Sequence, residues 1–214
     1  FIGERMEGAA PGKAHFSQKR DRTLFVFFDA YNRESFAWFA DLMKTRDPDE
    51  QVIFVVHPPV VPYNARSTWT VFGGSEAVQA KRQQLLELLG KHKAIVLCGH
   101  LHKYSLVERK TSEGAFTQLA ISSVAYSQQD KPGDILHGLD QYGPDLVELE
   151  PGHSPDTVVQ RREVLAAEKP HIRRFDYGNF WGHAVVNLSP KGIEADIYQM
   201  LGDVPWKSVN LIPG

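Results

Sequence analysis

The amino-acid sequence predicts an α/β fold, a mixed β-sandwich in which two sheets are flanked by helices. The first half of the chain alternates short apolar runs with amphipathic segments in the order β-α-β-α-β, which favours parallel strands with helices on the faces of the sheet. The second half is mostly strand-like. Hydrophobic residues make up 42% of the 214 residues and charged residues 23%, which is typical of globular domains.

The first half contains three predicted buried strands and two predicted helices. The strands are short apolar runs over residues 23–28, 51–56 and 94–98. One helix is predicted from Asn32, which can cap it, to about Arg46. The other begins at Ser75 and continues to about Leu89, and Gly90 is the predicted terminator.

The second half is predicted to add strands, one helix and a final hairpin. Strands are predicted over residues 104–109, 116–122, 184–188 and 193–198, and a helix that opens at Ser154 and Pro155 is predicted to end near Glu168. The chain is accordingly divided into a loop or ragged start (residues 1–23), a core (24–126), an insertion or lid (127–182), and a final hairpin and tail (183–214).

Composition excludes several classes of protein. With 24 Lys and Arg against 26 Asp and Glu, the formal net charge is −2, so no nucleic-acid-binding surface is indicated. No apolar run reaches the roughly 18 residues that a membrane span needs. The single cysteine, Cys98, lies in an apolar run and is predicted to be a small buried hydrophobe. Since the chain begins with Phe1, we expect a processed or truncated product whose targeting signal, if any, lies outside it, so its localisation is open.

Three histidines follow the ends of predicted buried strands. His57 comes directly after the strand Val52–Val56, and His100 and His102 follow the strand Ala94–Cys98. Because the carboxyl ends of parallel strands face a common crevice, the three imidazoles are expected to converge. A gathering of neutral imidazoles is typical of a site for a divalent metal ion. We therefore interpret His57, His100 and His102 as candidate metal ligands.

Two further groups of residues have weaker functional interpretations. Tyr63 and Asn64, in the loop after His57, are candidates for lining a substrate pocket, with ordinary loop packing as the alternative. An aromatic group precedes the last hairpin and either packs against a sheet or forms a stacking platform for a base or sugar. Its members are Phe175, Tyr177, Phe180 and Trp181.

The stretches Leu24–Asp29, Val52–Pro59 and Ile95–Lys103 resemble the carboxyl-terminal part of a calcineurin-like metallophosphoesterase. The most specific features are His-Pro-Pro after one strand and Gly-His-x-His after the next. The resemblance implies a site for two divalent ions (Mn, Fe or Zn), in which His57 and His100 bind the second metal and His102 the first. It also implies a phosphoester substrate, whose phosphorus is attacked by a metal-activated water.

The other motifs of that family, Asp-x-His, Gly-Asp-x-x-Asp and Gly-Asn-His-Asp/Glu, are missing from the sequence. They supply the bridging Asp, the Asn ligand and the catalytic His, so no catalytic residue is identified on this chain. We expect a carboxyl-terminal half of the enzyme with an incomplete site, inactive alone, that forms oligomers or pairs with the missing amino-terminal half. The alternatives are a three-histidine, single-zinc hydrolase and a non-catalytic binding or assembly module. Substrate class and metal identity are open.

Overall fold

The computed structural model describes residues 14–63, 68–73, 76–124, 133–144, 157–190 and 192–214, with the backbone alone at residues 76 and 77. Over these residues the chain forms two β-sheets and three α-helices. The helices are α1 (Ser35–Thr45), α2 (Glu76–Lys91) and α3 (Val158–Glu168). None of the helices in this described part combines the length and the apolar character that crossing a bilayer requires.

The larger sheet has eight strands. In chain order they are β1 (Phe16–Arg20), β2 (Thr23–Phe27), β3 (Gln51–Val55), β4 (Ile95–Cys98), β5 (Tyr104–Lys110), β6 (Ala115–Ala120), β7 (Ile135–His137) and β8 (Ile172–Gly178). Their spatial order is β1-β2-β3-β4-β6-β5-β8-β7. The strands β2, β3, β4 and β6 run parallel to one another, and the outer pairings are antiparallel. The carboxyl ends of the four parallel strands therefore share one edge of the sheet.

The smaller sheet is antiparallel and has three strands. They are β9 (Gly182–Ser189), β10 (Gly192–Gln199) and β11 (Lys207–Asn210), in the spatial order β11-β10-β9. The pairing of β9 with β10 confirms the predicted final hairpin. The third strand, β11, was not predicted from the sequence.

Each face of the larger sheet packs against a different layer. On one face, Val52 and Phe54 of β3 belong to a core that includes Phe39 of α1 and Leu85 of α2. On the other face, the intervening Ile53 packs in a second core with apolar residues of the smaller sheet. Because side chains alternate along a strand, a continuous apolar run is needed where both faces are covered. The predicted α/β sandwich with helices outside it is thus confirmed.

The predicted loop over residues 1–23 was wrong for its last part, because Phe16–Arg20 forms β1. Within the described part of the chain, this strand lies at an edge of the sheet and pairs with β2 alone. Charged side chains are common on edge strands, where they discourage pairing with other chains. Lys19 and Arg20 therefore removed the apolar alternation that would have indicated a strand, and Lys19 Nζ lies 2.6 Å from Glu50 Oε1.

Residues 172–178, which the sequence assigned to the insertion, form β8 within the larger sheet. This strand pairs with both β5 and β7, and the register shifts between Glu108 and Arg109. The adjacent charges of Arg173 and Arg174 obscured its apolar pattern. Among the predicted aromatic group, Phe175, Tyr177 and Phe180 are buried, which confirms the sheet-packing interpretation for these three.

Helix boundaries differ from the predicted ones for local reasons. Asn32 caps the turn before α1, since its side chain accepts a hydrogen bond from the Glu34 backbone N–H at 2.9 Å, and the helix begins at Ser35. Gly90 does not end α2. A Cβ atom at Gly90 would lie 2.2 Å from Thr111 Oγ1, so the glycine permits close packing of the β5–β6 turn against the helix.

The start of α3 is a capping box. Thr157 accepts a hydrogen bond from the Gln160 backbone N–H, and the Gln160 side chain accepts one from the Thr157 backbone N–H. The predicted start at Ser154 and Pro155 lies outside the described residues.

The carboxyl ends of α1 and α2 are joined by an uncharged histidine. His92 Nδ1 accepts hydrogen bonds from Arg46 Nε at 3.0 Å and Arg46 Nη2 at 2.9 Å. Burial, then the charge of Arg46 and that of Lys91, lower the pKa of His92 from 6.5 to about 4. Only the deprotonated nitrogen can accept these bonds, so the contact favours the neutral ring.

We expect the free energy of unfolding to fall as the pH drops from about 6.5 towards 4, because the unfolded chain then binds a proton that the folded chain does not. In His92→Gln this part of the pH dependence should disappear. The expected difference is about 1 kcal/mol, less than the full pKa shift implies, because solvent screens the half-buried ring. Urea unfolding across this pH range measures it. The exposed His171→Gln is the control, and an equal change there would contradict the assignment.

Candidate metal centre

The parallel ladder continues past the ends of β3 and β4. The Val56 N–H donates to the Leu97 carbonyl oxygen at 3.0 Å, and the Gly99 N–H donates to the His57 carbonyl oxygen at 3.0 Å. These bonds keep the two segments aligned after regular strand geometry ends. As a result, His57 and His100 leave the sheet at the same edge and side by side.

The rings of His57 and His100 are in direct contact. His57 Nε2 lies 3.2 Å from His100 Nδ1, and the ring planes are nearly perpendicular, with an interplanar angle of 86°. Two imidazole nitrogens that each lie about 2.0–2.1 Å from one metal ion are roughly 3.0–3.4 Å apart, depending on the coordination angle. The observed separation fits this range. Without a cation, the same distance suits an N–H···N hydrogen bond between neutral rings.

The surroundings favour the neutral form of His100. Partial burial, followed by the neighbouring imidazoles of His57 and His102, lowers the pKa of His100 below its ordinary value. A neutral imidazole keeps the lone pair that a metal ion needs.

Both histidines of the Gly-His-x-His turn have left-handed backbone conformations. The φ angles are 78° at His100 and 56° at His102. Such conformations cost a non-glycine residue roughly 1–2 kcal/mol, and they cluster at functional sites. The turn therefore retains histidine at two positions where glycine would be less strained.

The structure brings together two of the three predicted ligands. His102 is exposed and lies near enough to affect the pKa of His100, but among these three histidines the ring contact found in the described residues joins His57 and His100. Within the described ranges, no group of three or more His, Cys, Asp or Glu side chains is arranged to hold a metal ion.

Tyr63 contacts the Gly-His-x-His turn from the core side. Its side chain is fully buried, and its hydroxyl donates a long hydrogen bond of 3.4 Å to the Gly99 carbonyl oxygen. Burial, more than any neighbouring charge, raises the pKa of Tyr63 well above its ordinary value, so the hydroxyl keeps its proton. This buried position fits the loop-packing interpretation of Tyr63. The other residue predicted there, Asn64, lies outside the described residues.

Gln118 of β6 is a positioning residue that the sequence analysis missed. Its side-chain oxygen accepts hydrogen bonds from the backbone N–H groups of Val60 and Val61, and its side-chain nitrogen donates to the Val61 carbonyl oxygen, all at 2.9 Å. The fully buried amide thus fixes the segment that follows His57. A glutamine inside an otherwise apolar strand was the available signal, since a buried amide must find partners.

Two aromatic side chains extend the site along the sheet edge. The ring centroid of Trp69 lies 5.1 Å from that of His100, and Tyr31 stacks on Trp69 at 6.3 Å. Tyr31 is 69% exposed. Neither residue stood out in the sequence, because aromatic loop residues most often cover a core edge.

No protein-family model matches this chain, and no curated protein matches it in sequence. Solved structures match it in three dimensions. A purple acid phosphatase from yellow lupin (Lupinus luteus) seeds has a TM-score of 0.50 and 10% identity over 91% of this chain, and PhoD has a TM-score of 0.52 and 11% identity over 96%. The fold is phosphoesterase-like. The chain spans 32% of the lupin phosphatase chain and 42% of the PhoD chain, less than half of either.

We expect His100→Gly to be more stable than His100→Ala by about 1 kcal/mol, and the same order at His102, because glycine adopts a positive φ without a steric penalty. Both substitutions remove the ring, so the comparison isolates the backbone. His57, whose φ is not positive, is the control. There, alanine should be the more stable replacement. Thermal and urea unfolding measure the stability of the glycine and alanine variants at the three positions. If glycine were the more stable replacement at His57 as well, backbone strain at His100 and His102 would not be the cause.

We expect Gln118→Leu to lower the free energy of unfolding by roughly 3 kcal/mol or more, because two backbone N–H groups and one carbonyl oxygen are left buried without partners. The exposed Gln83→Leu is the matched control and should change stability little. Urea unfolding provides the measurement. If Gln118→Leu were as stable as the wild type, the hydrogen bonds of Gln118 to Val60 and Val61 would not stabilise the fold.

Proposed function

We propose that this chain supplies the histidine side of a divalent-metal centre in a phosphoester hydrolase. The observation that carries the proposal is the separation of 3.2 Å between His57 Nε2 and His100 Nδ1 at the carboxyl edge of the parallel strands. The phosphoesterase-like fold supports the same conclusion.

The donor set fits a first-row divalent ion. His57 and His100 offer uncharged nitrogens from a fixed pair of turns, and His102 is the proposed further ligand from the same turn. Imidazole suits Zn, Mn and Fe, so the donors alone leave the metal undecided. A two-metal centre of the calcineurin-like type also needs oxygen ligands beyond these three side chains.

The residues of this chain would support hydrolysis by a bound metal ion in two ways. When bound in such a site, divalent cations lower the pKa of water and offset charge on phosphoryl oxygens. Tyr63 and Gln118 hold the backbone segments that carry His57 and His100. Trp69 covers one side of the His100 ring, which reduces its access to water.

We expect His57→Ala and His100→Ala each to weaken binding of Zn²⁺ or Mn²⁺ roughly tenfold or more, because each removes a ligand. His92→Ala is the control. His92 follows α2 and contacts Arg46, not the turns that carry His57 and His100, so this variant should bind the metal as the wild type does. Titration calorimetry on the 214-residue chain measures the affinities. Equal losses in all three variants would indicate folding damage, and absence of metal binding by the wild type would overturn the proposal.

Hydrolysis separates the proposed enzyme from a binding module. Joined to a segment that supplies the missing oxygen ligands, the wild-type chain with Zn²⁺ or Mn²⁺ should release phosphate from model phosphomonoesters or phosphodiesters faster than His57→Ala and His100→Ala do in the same assembly. Metal binding with no hydrolysis of any ester would instead indicate a non-catalytic binding or assembly module. A stoichiometry of one metal ion with all three histidines required would indicate the single-zinc alternative.

A further inference from the structure

A cavity of about 360 Å³ lies beside the candidate metal centre. It opens to solvent and is lined by residues of the 68–73 segment, of α2 and of α3. Trp69 forms part of its wall and also contacts the His100 ring, so the cavity and the histidine pair share one side chain. The volume is within the range of small-molecule sites in proteins.

The cavity wall combines an aromatic face with groups that donate and accept hydrogen bonds. Trp69 provides the ring, Thr70 a hydroxyl, Gln79 and Gln160 side-chain amides, and Glu163 a carboxylate. Gln79, Gln160 and Glu163 are exposed on their helices, so these side chains are accessible to a ligand from solvent. A ligand with many hydroxyl groups, each both a donor and an acceptor, matches such a wall.

The charge of the cavity is balanced, which disfavours a strongly anionic ligand. Arg82 Nη2 lies 3.4 Å from Glu168 Oε2 and 3.1 Å from the Val60 carbonyl oxygen. Glu168 also forms an ion pair with the buried Arg109. Both arginines are therefore paired with Glu168, and Glu163 adds a second carboxylate to the wall, so the described lining has no excess positive charge to hold a phosphate.

We propose that this cavity binds a hydroxylated sugar ring of the substrate, with the phosphoester directed towards His57 and His100. The inference rests on the proposed function and adds its substrate class, a sugar monophosphate. The ring has two possible sources, the hexose of a hexose phosphate or the ribose of a nucleotide. In either case one face of the sugar packs on Trp69, and Glu163 with the glutamine amides binds its hydroxyls.

Binding of the unphosphorylated sugars tests the cavity without relying on hydrolysis. Glucose and ribose are titrated separately into the 214-residue chain by calorimetry, with adenosine and phenol as further probes. We expect a dissociation constant on the order of 1 mM for at least one sugar. Trp69→Ala and Glu163→Gln should each weaken it roughly three- to tenfold. Trp69→Phe, which retains an aromatic face, should weaken binding less than Trp69→Ala does. Glu194→Gln, on the exposed side of the smaller sheet, is the matched control and should bind as the wild type does.

The outcomes separate this inference from the proposed function. Tighter binding of glucose assigns the hexose source, and tighter binding of ribose and adenosine assigns the nucleotide source. No saturable binding of either sugar at about 10 mM overturns the inference, and so do binding of phenol alone and binding that both cavity variants leave unchanged. His100→Ala should lose metal affinity but keep sugar binding. A chain that binds sugar but no metal would overturn the proposed function and leave the cavity as a sugar site.

Discussion

The candidate site depends on one feature of the backbone, the continuation of the parallel β3–β4 ladder beyond the last strand residues. Regular parallel pairing aligns Val55 with Leu97, and the Gly99–His57 bond carries that alignment one step further. Without it, two loops that are more than 40 positions apart in the sequence would have no fixed register. The distance between the two imidazoles is therefore a consequence of strand register and not of the loops themselves.

The surrounding residues compensate for the cost of this arrangement. Left-handed backbone at His100 and His102 is unfavourable, and it persists only where neighbours over-determine it. Tyr63 contacts the turn from the core, and Gln118 fixes the segment that follows His57. Both side chains are fully buried, so their polar atoms are committed to the backbone of the site. The strain is thus stored in the turn and balanced by packing beneath it.

What the sequence could predict follows from how each element is covered. β3 and β4 are buried on both faces, and such strands must be apolar throughout, so they and the histidines at their ends were predicted. β1 lies at an edge, and β8 contains Arg173, Arg174 and a buried Asp176 that is paired with Lys207. Lys19, Arg174 and Asp176 have their partners, Glu50, Asn210 and Lys207, in distant parts of the chain. Gln118 and Trp69 could not be predicted either, because the backbone groups and the ring that they contact are distant in the sequence.

Trp69 lies between the histidine pair and the cavity lined by α2 and α3. Its ring forms part of the cavity wall and contacts His100, so the proposed sugar site lies directly beside the imidazole. The charges divide in the same way. The histidine pair lies at an open edge where a cation would supply the positive charge for a phosphoester, whereas the cavity neutralises its own arginines through Glu168. A ligand with one anionic end and one uncharged, hydroxylated end satisfies both environments, and a ligand with charges at both ends does not.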